Sequence, residues 1–315
     1  MSGYRLGQAA KAAGHRLHVH ESLGSTNTQA MELARQGERG PLWVVALRQE
    51  AGRGRRGSTW ASLPGNLTAS LLWPVSDVDP VQVPSLGFVA GVALIAALKR
   101  TIRPSHAEQS IKPPHPDAPE RSGGLEGGLQ RIARELEPSF EAADAALQDE
   151  VRGEKVDGAS PFRLKWPNDV LVSGAKLAGL LLEAETHPGG RRSAVIGFGV
   201  NVAASPQDLP YPATSLSQSS HDTRAEDLFD YLSDEIVAAA RLWSRGGGFS
   251  SIRRLWLDDA AGIGAPVSVR IGGEIVQGIF ETIDEAGRLV VRSDDGTRRT
   301  VTAGEVHLGS AATAA

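Results

Sequence analysis

"EAGRGRRGSTW" occupies residues 50–60, and the fold turns on how it is read. Gly52, Gly54 and Gly57 satisfy G-x-G-x-x-G, the spacing of a dinucleotide-binding turn in a doubly wound parallel sheet. That fold needs a helix to open on the third glycine and hold a pyrophosphate at its N-terminus. Here "STWASLPGN" follows Gly57, so Pro64-Gly65 stops a helix within two turns. No acidic residue stands at the expected distance beyond a second strand. A second reading takes Arg53, Arg55 and Arg56 as a grip on nucleic acid. A third takes the stretch as a mobile loop around another anion: glycines let backbone N–H groups come close, and arginines add forked donors with fixed charge. Without a ligand the three arginines repel one another, which keeps such a loop mobile. On this stretch alone, a solvated arginine-rich turn of no consequence stays open.

The whole chain narrows the choice. It has 315 residues, enough for two domains or for one large and one small. Hydrophobic residues make up 41% and charged residues 22%, as in ordinary globular proteins. Lys and Arg number 33 against 37 Asp and Glu, a net charge of −4, which weighs against duplex nucleic acid as the main partner. With no cysteine, disulfides, thiolate zinc sites and cysteine nucleophiles are excluded. The first twenty residues lack the apolar core of a signal peptide, and no continuous apolar run of membrane-spanning length is read anywhere. A cytoplasmic protein without a membrane partner is the expectation.

Hydrophobic patterning lays out the elements. Residues 25–37 read as a short helix, with Ser25 as N-cap and Gly37 just past its end. The runs 42–47 and 66–73 read as strands, and 85–102 as an apolar helix buried on most sides. Residues 103–128 are rich in Pro, Gly, Ser and charge and read as a loop or disordered linker. A helical stripe covers 129–151, interrupted at Pro138, and the segment 103–160 carries 12 acids against seven Lys and Arg. Beyond it, Ser173-Gly174 sits between two β-rich runs and suggests a hairpin; 193–203 reads as a further strand and 225–257 as helical. After Gly262-Ile263-Gly264 the pattern turns to short alternating strands, a small all-β module of SH3-like barrel type.

Motifs then follow one another in a telling order. "STN" (25–27) precedes "GRGRRG…W" (52–60), "KWPND" (165–169), "KLAGLLLE" (176–183) and "GFGVN" (197–201), with "ATSL" (213–216) after them. In this order they resemble the biotin–protein ligases, over roughly residues 16–310 apart from 103–160. The resemblance implies an α+β fold: a mixed sheet with helices, of the class II aminoacyl-tRNA-synthetase and biotin ligase type, followed by the small SH3-like barrel. It places the catalytic domain at 1–262, with an insertion at about 103–160, and the barrel at 263–315. It also implies ATP and biotin as substrates, Mg²⁺, and a biotin carboxyl carrier protein as partner. A carboxylate is a poor electrophile, so the implied route first makes biotinyl-5′-AMP from biotin and ATP. A carrier lysine then attacks that mixed anhydride. The first step brings two anions together, and catalysis there is mostly positioning and charge neutralisation.

The resemblance assigns roles residue by residue. Arg53, Arg55 and Arg56 lie over biotin and the adenylate phosphate, and Lys176 against the biotin carboxyl and the bridging phosphate oxygen. Lys165 neutralises phosphate. Asn168 and Asp169 offer oxygens to a hydrated Mg²⁺ or to the nucleotide, and Asp169 helps take the proton of the incoming amine. The catalytic set is therefore Lys176, Arg55, Lys165 and Asp169. Ser25, Thr26 and Asn27, with Gln49, hold the ureido ring, and Gly54 also belongs to the biotin site. Trp60 or Trp166 walls the adenine or the bicyclic ring, and Gly197, Gly199 and Asn201 form the nucleotide side. Taken singly, these residues also suit plainer roles: a surface lysine, a Pro-Asn-Asp turn, an N-cap, core indoles. One departure is Ser58-Thr59, where family members often carry basic residues.

Two rivals remain. Lipoate or octanoate ligases share the fold but need an apolar tunnel, and the "RRxSGGG"-type stretch they usually show is absent. A biotin-responsive repressor adds an N-terminal winged helix of about sixty residues, whereas about 24 residues precede "STN" here, so no DNA partner is expected. The insertion is read as a surface excursion away from the chemistry. A homodimer is left open.

Overall fold

A computed structural model describes residues 3–102, 160–207, 209–219 and 221–308. The linker read at 103–128 and the helical stripe at 129–151 lie outside the described residues.

Seven strands form the main sheet: β1 (Arg16–Leu23), β2 (Leu42–Gln49), β3 (Leu67–Pro74), β4 (Phe162–Lys165), β5 (Asp169–Val172), β6 (Ala175–Thr186) and β7 (Arg192–Val200). Their spatial order is β1-β2-β3-β7-β6-β5-β4. β1 runs parallel to β2 and every other pair is antiparallel, so the sheet is mixed. The unbroken apolar run of β2 has a cause in this layering. Trp43 and Val45 enter the large core, while Leu42 and Val44 face Ala30, Met31 and Ala34 of α2 (Thr26–Arg35) on the opposite side. Over Leu42–Ala46 neither face of this strand meets water.

The large core is closed by α3 (Leu86–Thr101), α4 (Ala225–Trp243) and α5 (Phe249–Asp258), with the five-residue α1 (Gln8–Ala12) against α4. Residues Pro80–Thr101 are long and apolar enough, by length and composition alone, to cross a membrane, and they include the buried apolar helix read at 85–102. Of their apolar window, 78% is buried inside the protein, which makes this a core helix. The helical pattern at 225–257 is two helices. Ser244 and Arg245 adopt left-handed backbone (φ 45° and 57°) before Gly246, and the chain turns there. Ser173 and Gly174 are also left-handed (φ 49° and 81°), the geometry of a tight hairpin between β5 and β6.

The C-terminal module is a five-stranded antiparallel sheet of β8 (Pro266–Ile271), β9 (Glu274–Ile283), β10 (Leu289–Arg292), β11 (Arg298–Val301) and β12 (Glu305–Leu308), in the order β11-β10-β9-β8-β12. Val269, Phe280, Leu289 and Val291 fill its interior. It is fastened to α5 and to the β4–β5 connection by polar contacts as well as packing. Trp166 Nε1 donates to the Gly287 carbonyl at 2.9 Å, and Arg253 Nε to that of Ile283 at 2.7 Å. Ala261 N donates to Leu164 O at 2.8 Å. β12 thereby lines the same cleft as the β5–β6 hairpin.

Candidate active site

A cleft of about 900 Å³ opens where the ends of β6 and β7, the start of α2, the loop 52–60, the segment 210–212 and β12 converge. Five fixed cations line it (Arg53, Arg55, Arg56, Lys165 and Lys176) against two carboxylates, Asp169 and Glu305. In a chain of net charge −4, this local excess marks a place for an anion.

The glycine-arginine loop is a small hairpin. Arg53 bridges Thr59, Gly54 N donates to Ser58 O at 2.7 Å, and Trp60 N to Gly52 O at 3.0 Å. Its tip is a single 3₁₀ turn, Arg55–Gly57, in which Arg56 is left-handed (φ 54°). No helix follows Gly57, which removes the dinucleotide reading. Ser58 donates from Oγ to Arg55 O at 2.8 Å and so shapes the tip.

The loop reaches the sheet at three points. Arg55 Nη1 donates to Asn168 Oδ1 at 3.0 Å, and Asn168 Nδ2 donates to Leu180 O at 2.6 Å. Arg53 pairs with Glu183 at 3.0 Å. The Trp60 ring lies on Gly199 and Gly179: a Cβ on Gly199 would stand 2.4 Å from Trp60 Cε2, and one on Gly179 3.1 Å from Cζ3. Its Nε1 is buried without a partner. Burial, then the neighbouring Arg56, pushes the Arg55 guanidinium below its ordinary range, and Asp169 pulls it back.

Lys176 and Asp169 form an ion pair of 2.9 Å. The ammonium lies 5.8 Å from the Trp60 ring centre and 5.5 Å from that of Tyr211. Tyr211 carried no sequence expectation. Its segment is pinned beside Lys176, because Lys176 N donates to Pro212 O at 2.8 Å and Thr214 N to Lys176 O at 3.0 Å. Lys165 stands close by, its ammonium pushed down by burial and, less strongly, by Lys176, while Asp169 pulls it back up.

A neutral polar group occupies the other end. Thr26 donates to Gln49 Oε1 from both N and Oγ1, at 2.8 and 3.0 Å, so the Gln49 NH₂ group is left to the cleft. Ser25 caps α2 through Thr28 N. Asn27 lies in the floor and its amide is filled: Nδ2 donates to Glu183 Oε2 at 2.9 Å and Leu181 O at 3.3 Å, and Oδ1 accepts from Ser70 Oγ at 2.6 Å. Glu183 was missed in the sequence, although it ends the "KLAGLLLE" motif and shares a strand face with Leu181 and Gly179.

Two expectations change. Asn201 does not line the cleft. It is 2% exposed, donates from Nδ2 to Thr214 O at 3.1 Å and accepts from Asn66 Nδ2 at 3.4 Å, so it secures the 213–216 segment from behind. Asp169, expected to hold Mg²⁺, is a single carboxylate already paired with Lys176. Among the described residues no group of three or more His, Cys, Asp or Glu could hold a metal. These residues do not build a resident metal site.

A model of the biotin/lipoate A/B protein ligase family matches residues 19–201, and one of the biotin protein ligase C-terminal domain matches 262–309. The chain belongs to this ligase family. It is 31% identical over 292 residues to the biotin–[acetyl-CoA-carboxylase] ligase of Paracoccus denitrificans, over 90% of this chain and 97% of that one. It is 26% identical to a bifunctional ligase/repressor of Bacillus subtilis, over 98% of this chain and 78% of that one. Among solved structures, a biotin protein ligase from Aquifex aeolicus in complex with biotin and ATP has the same fold, with a TM-score of 0.63 at 20% identity over 93% of this chain and 98% of that one. The α+β reading with its mixed sheet is thus the fold found. In this ligase family member the cleft draws on both matched regions, with Glu305 and His307 coming from the barrel.

Proposed function

We propose that this chain is an ATP-dependent biotin–protein ligase acting on a biotin carboxyl carrier protein. The observation that carries the reading is one continuous cleft with neutral donors and acceptors at one end and converging cations at the other. The two ends are joined by β6 and β7, where Gly179 pairs with Gly199 and Leu181 with Gly197. That shape suits a ligand with a polar ring, a short apolar chain and a terminal anion. Biotin is such a ligand.

In the first step a biotin carboxylate oxygen attacks the α-phosphorus of ATP. A P–O bond forms, the bond to the β-bridging oxygen breaks, and pyrophosphate leaves with the electron pair. Lys176 and Arg55 stand where they would neutralise the meeting anions, with Arg53, Arg56 and Lys165 around them. In the second step the carrier lysine nitrogen attacks the acyl carbon, the C–O bond to AMP breaks, and an amide remains. Asp169 is the carboxylate at hand for the proton that the amine sheds. Ser25, Thr26 and Gln49 receive the ureido ring, and Trp60 covers the chain. The polar set at Ser25, Thr26 and Gln49 favours this ring over the alkyl chain of lipoate or octanoate. The reaction is placed in the cytoplasm, where ATP and carrier meet.

The test is transfer to a carrier. With biotin and MgATP, the protein should add one biotinyl group to a biotin carboxyl carrier domain, read by intact mass. The addition should vanish when the carrier lysine is changed to arginine. Addition of lipoate or octanoate in place of biotin would contradict the substrate.

A further inference from the structure

We infer that Glu183 is a positioning residue that docks the arginine loop onto the floor of the ring pocket before any ligand arrives. The inference deepens the ligase reading and rests on it for the identity of the ligand. Each oxygen of this carboxylate serves a different element. Oε2 accepts from Asn27 Nδ2 at 2.9 Å, at the start of α2, and Oε1 meets Arg53 Nη2 at 3.0 Å, in the loop. Leu181 O, two residues earlier on the same strand face, also accepts from Asn27 Nδ2. One side chain thus joins the pocket floor to the loop.

Charge explains why a carboxylate is needed there. Arg53, Arg55 and Arg56 repel one another, and Arg55 hydrogen-bonds to the neutral amide of Asn168 while Asp169 acts on it without an ion pair. Among the described residues, Glu183 is the one carboxylate in an ion pair with the loop. The pair is half-exposed on the arginine side (53%), so it is weak and exchangeable. It holds the first arginine near the sheet in the free protein, so less ordering remains for binding to accomplish. An incoming anion then competes for the same guanidinium.

Trypsin reads this directly, because it cuts after Arg53, Arg55 and Arg56. The ligand-free full-length protein is digested under native conditions and cleavage at these sites is followed by mass spectrometry. Glu183→Gln keeps an acceptor for Asn27 and removes the charge. It should speed cleavage about five-fold, the scale of a half-exposed ion pair, with the melting temperature unchanged. Biotin with MgATP should restore protection. Arg53→Met breaks the pair from the loop side and should expose Arg55 and Arg56 equally, and the double variant should cleave no faster than Arg53→Met alone. In turnover, Glu183→Gln should raise KM for biotin about five-fold with kcat nearly unchanged. Wild-type cleavage in Glu183→Gln, or additive effects in the double variant, would overturn the inference. The ligand-free digestion needs no turnover, so its result stands even if biotin is not the substrate.

Discussion

Lys176 Nζ lies 2.9 Å from Asp169 Oδ1 across the β5–β6 hairpin, and each side chain is about one-fifth exposed (20% and 19%). One of the five cleft cations is therefore in place before substrate, held by a carboxylate and flanked by the rings of Trp60 and Tyr211. A cation already oriented costs no reorganisation when two anions meet.

Lys176→Met should slow adenylate formation by about 10²–10³-fold, the cost of removing one preorganised charge-stabilising group. Single-turnover pyrophosphate release measures it. Asp169→Asn keeps the shape and removes the charge, and it should slow transfer to the carrier more than adenylate formation. Equal slowing of both steps would argue against a role for Asp169 with the amine.

Gly199→Ala should displace the loop without unfolding the sheet. Its Cβ would meet Trp60 Cε2 at 2.4 Å, and a rigid indole yields only by moving with its backbone. Alanine suits a strand as well as glycine does. Activity should fall at least about ten-fold, the scale of a lost catalytic contact, while the denaturation midpoint barely moves. Tryptophan emission should shift in the ligand-free protein.

Much of this was legible from local signals. The β5–β6 turn shows as Ser-Gly between β-rich runs, and Gly37 lies just past the end of α2 at φ 105°. The dinucleotide reading failed on the sequence itself, at Pro64-Gly65. What stayed hidden depends on distant partners. β1 shows no clean alternation of burial, and its only mate among the described residues is a parallel strand some 26 residues on, Arg16 with Leu42. Asn201 looks like a cleft residue until Asn66, 135 positions away in sequence, is seen closing on it. Glu183 reads as the solvent end of a strand, because nothing nearby in the chain points to Asn27 or Arg53. The break at 244–246 was visible in "SRGGG", but the apolar periodicity on either side masked it.

Lys165 trades stability for function. Burial lowers its folded pKa below the unfolded value, so between the two the unfolded chain binds more protons. Its contribution to stability therefore rises with pH through that window. Lys165→Met should melt higher than wild type at neutral pH and lose the alkaline rise, while adenylate formation falls. Thermal melts at neutral and alkaline pH, beside a pyrophosphate assay, check both halves.

His15 should make the fold sensitive to mild acid. It accepts from Trp43 Nε1 at 3.1 Å through Nδ1, which requires the neutral ring, and burial lowers its pKa from 6.5 to about 4. As pH falls from 6.5 towards about 4, the unfolded chain takes up a proton that the folded one refuses, and stability is lost. Urea midpoints at neutral pH and inside that window should differ for wild type. His15→Gln keeps an acceptor and should narrow the difference.

The central claim is that the cleft makes and retains an acyl-adenylate. The most direct test mixes the protein with MgATP and biotin, without carrier, and follows pyrophosphate, with lipoate and octanoate in parallel. A biotin-dependent burst of one pyrophosphate per chain, followed by slow release, is the expected result. A burst with lipoate or octanoate but not biotin would contradict the substrate, and no burst with any of the three acids would contradict the chemistry assigned to Lys176 and the arginine loop.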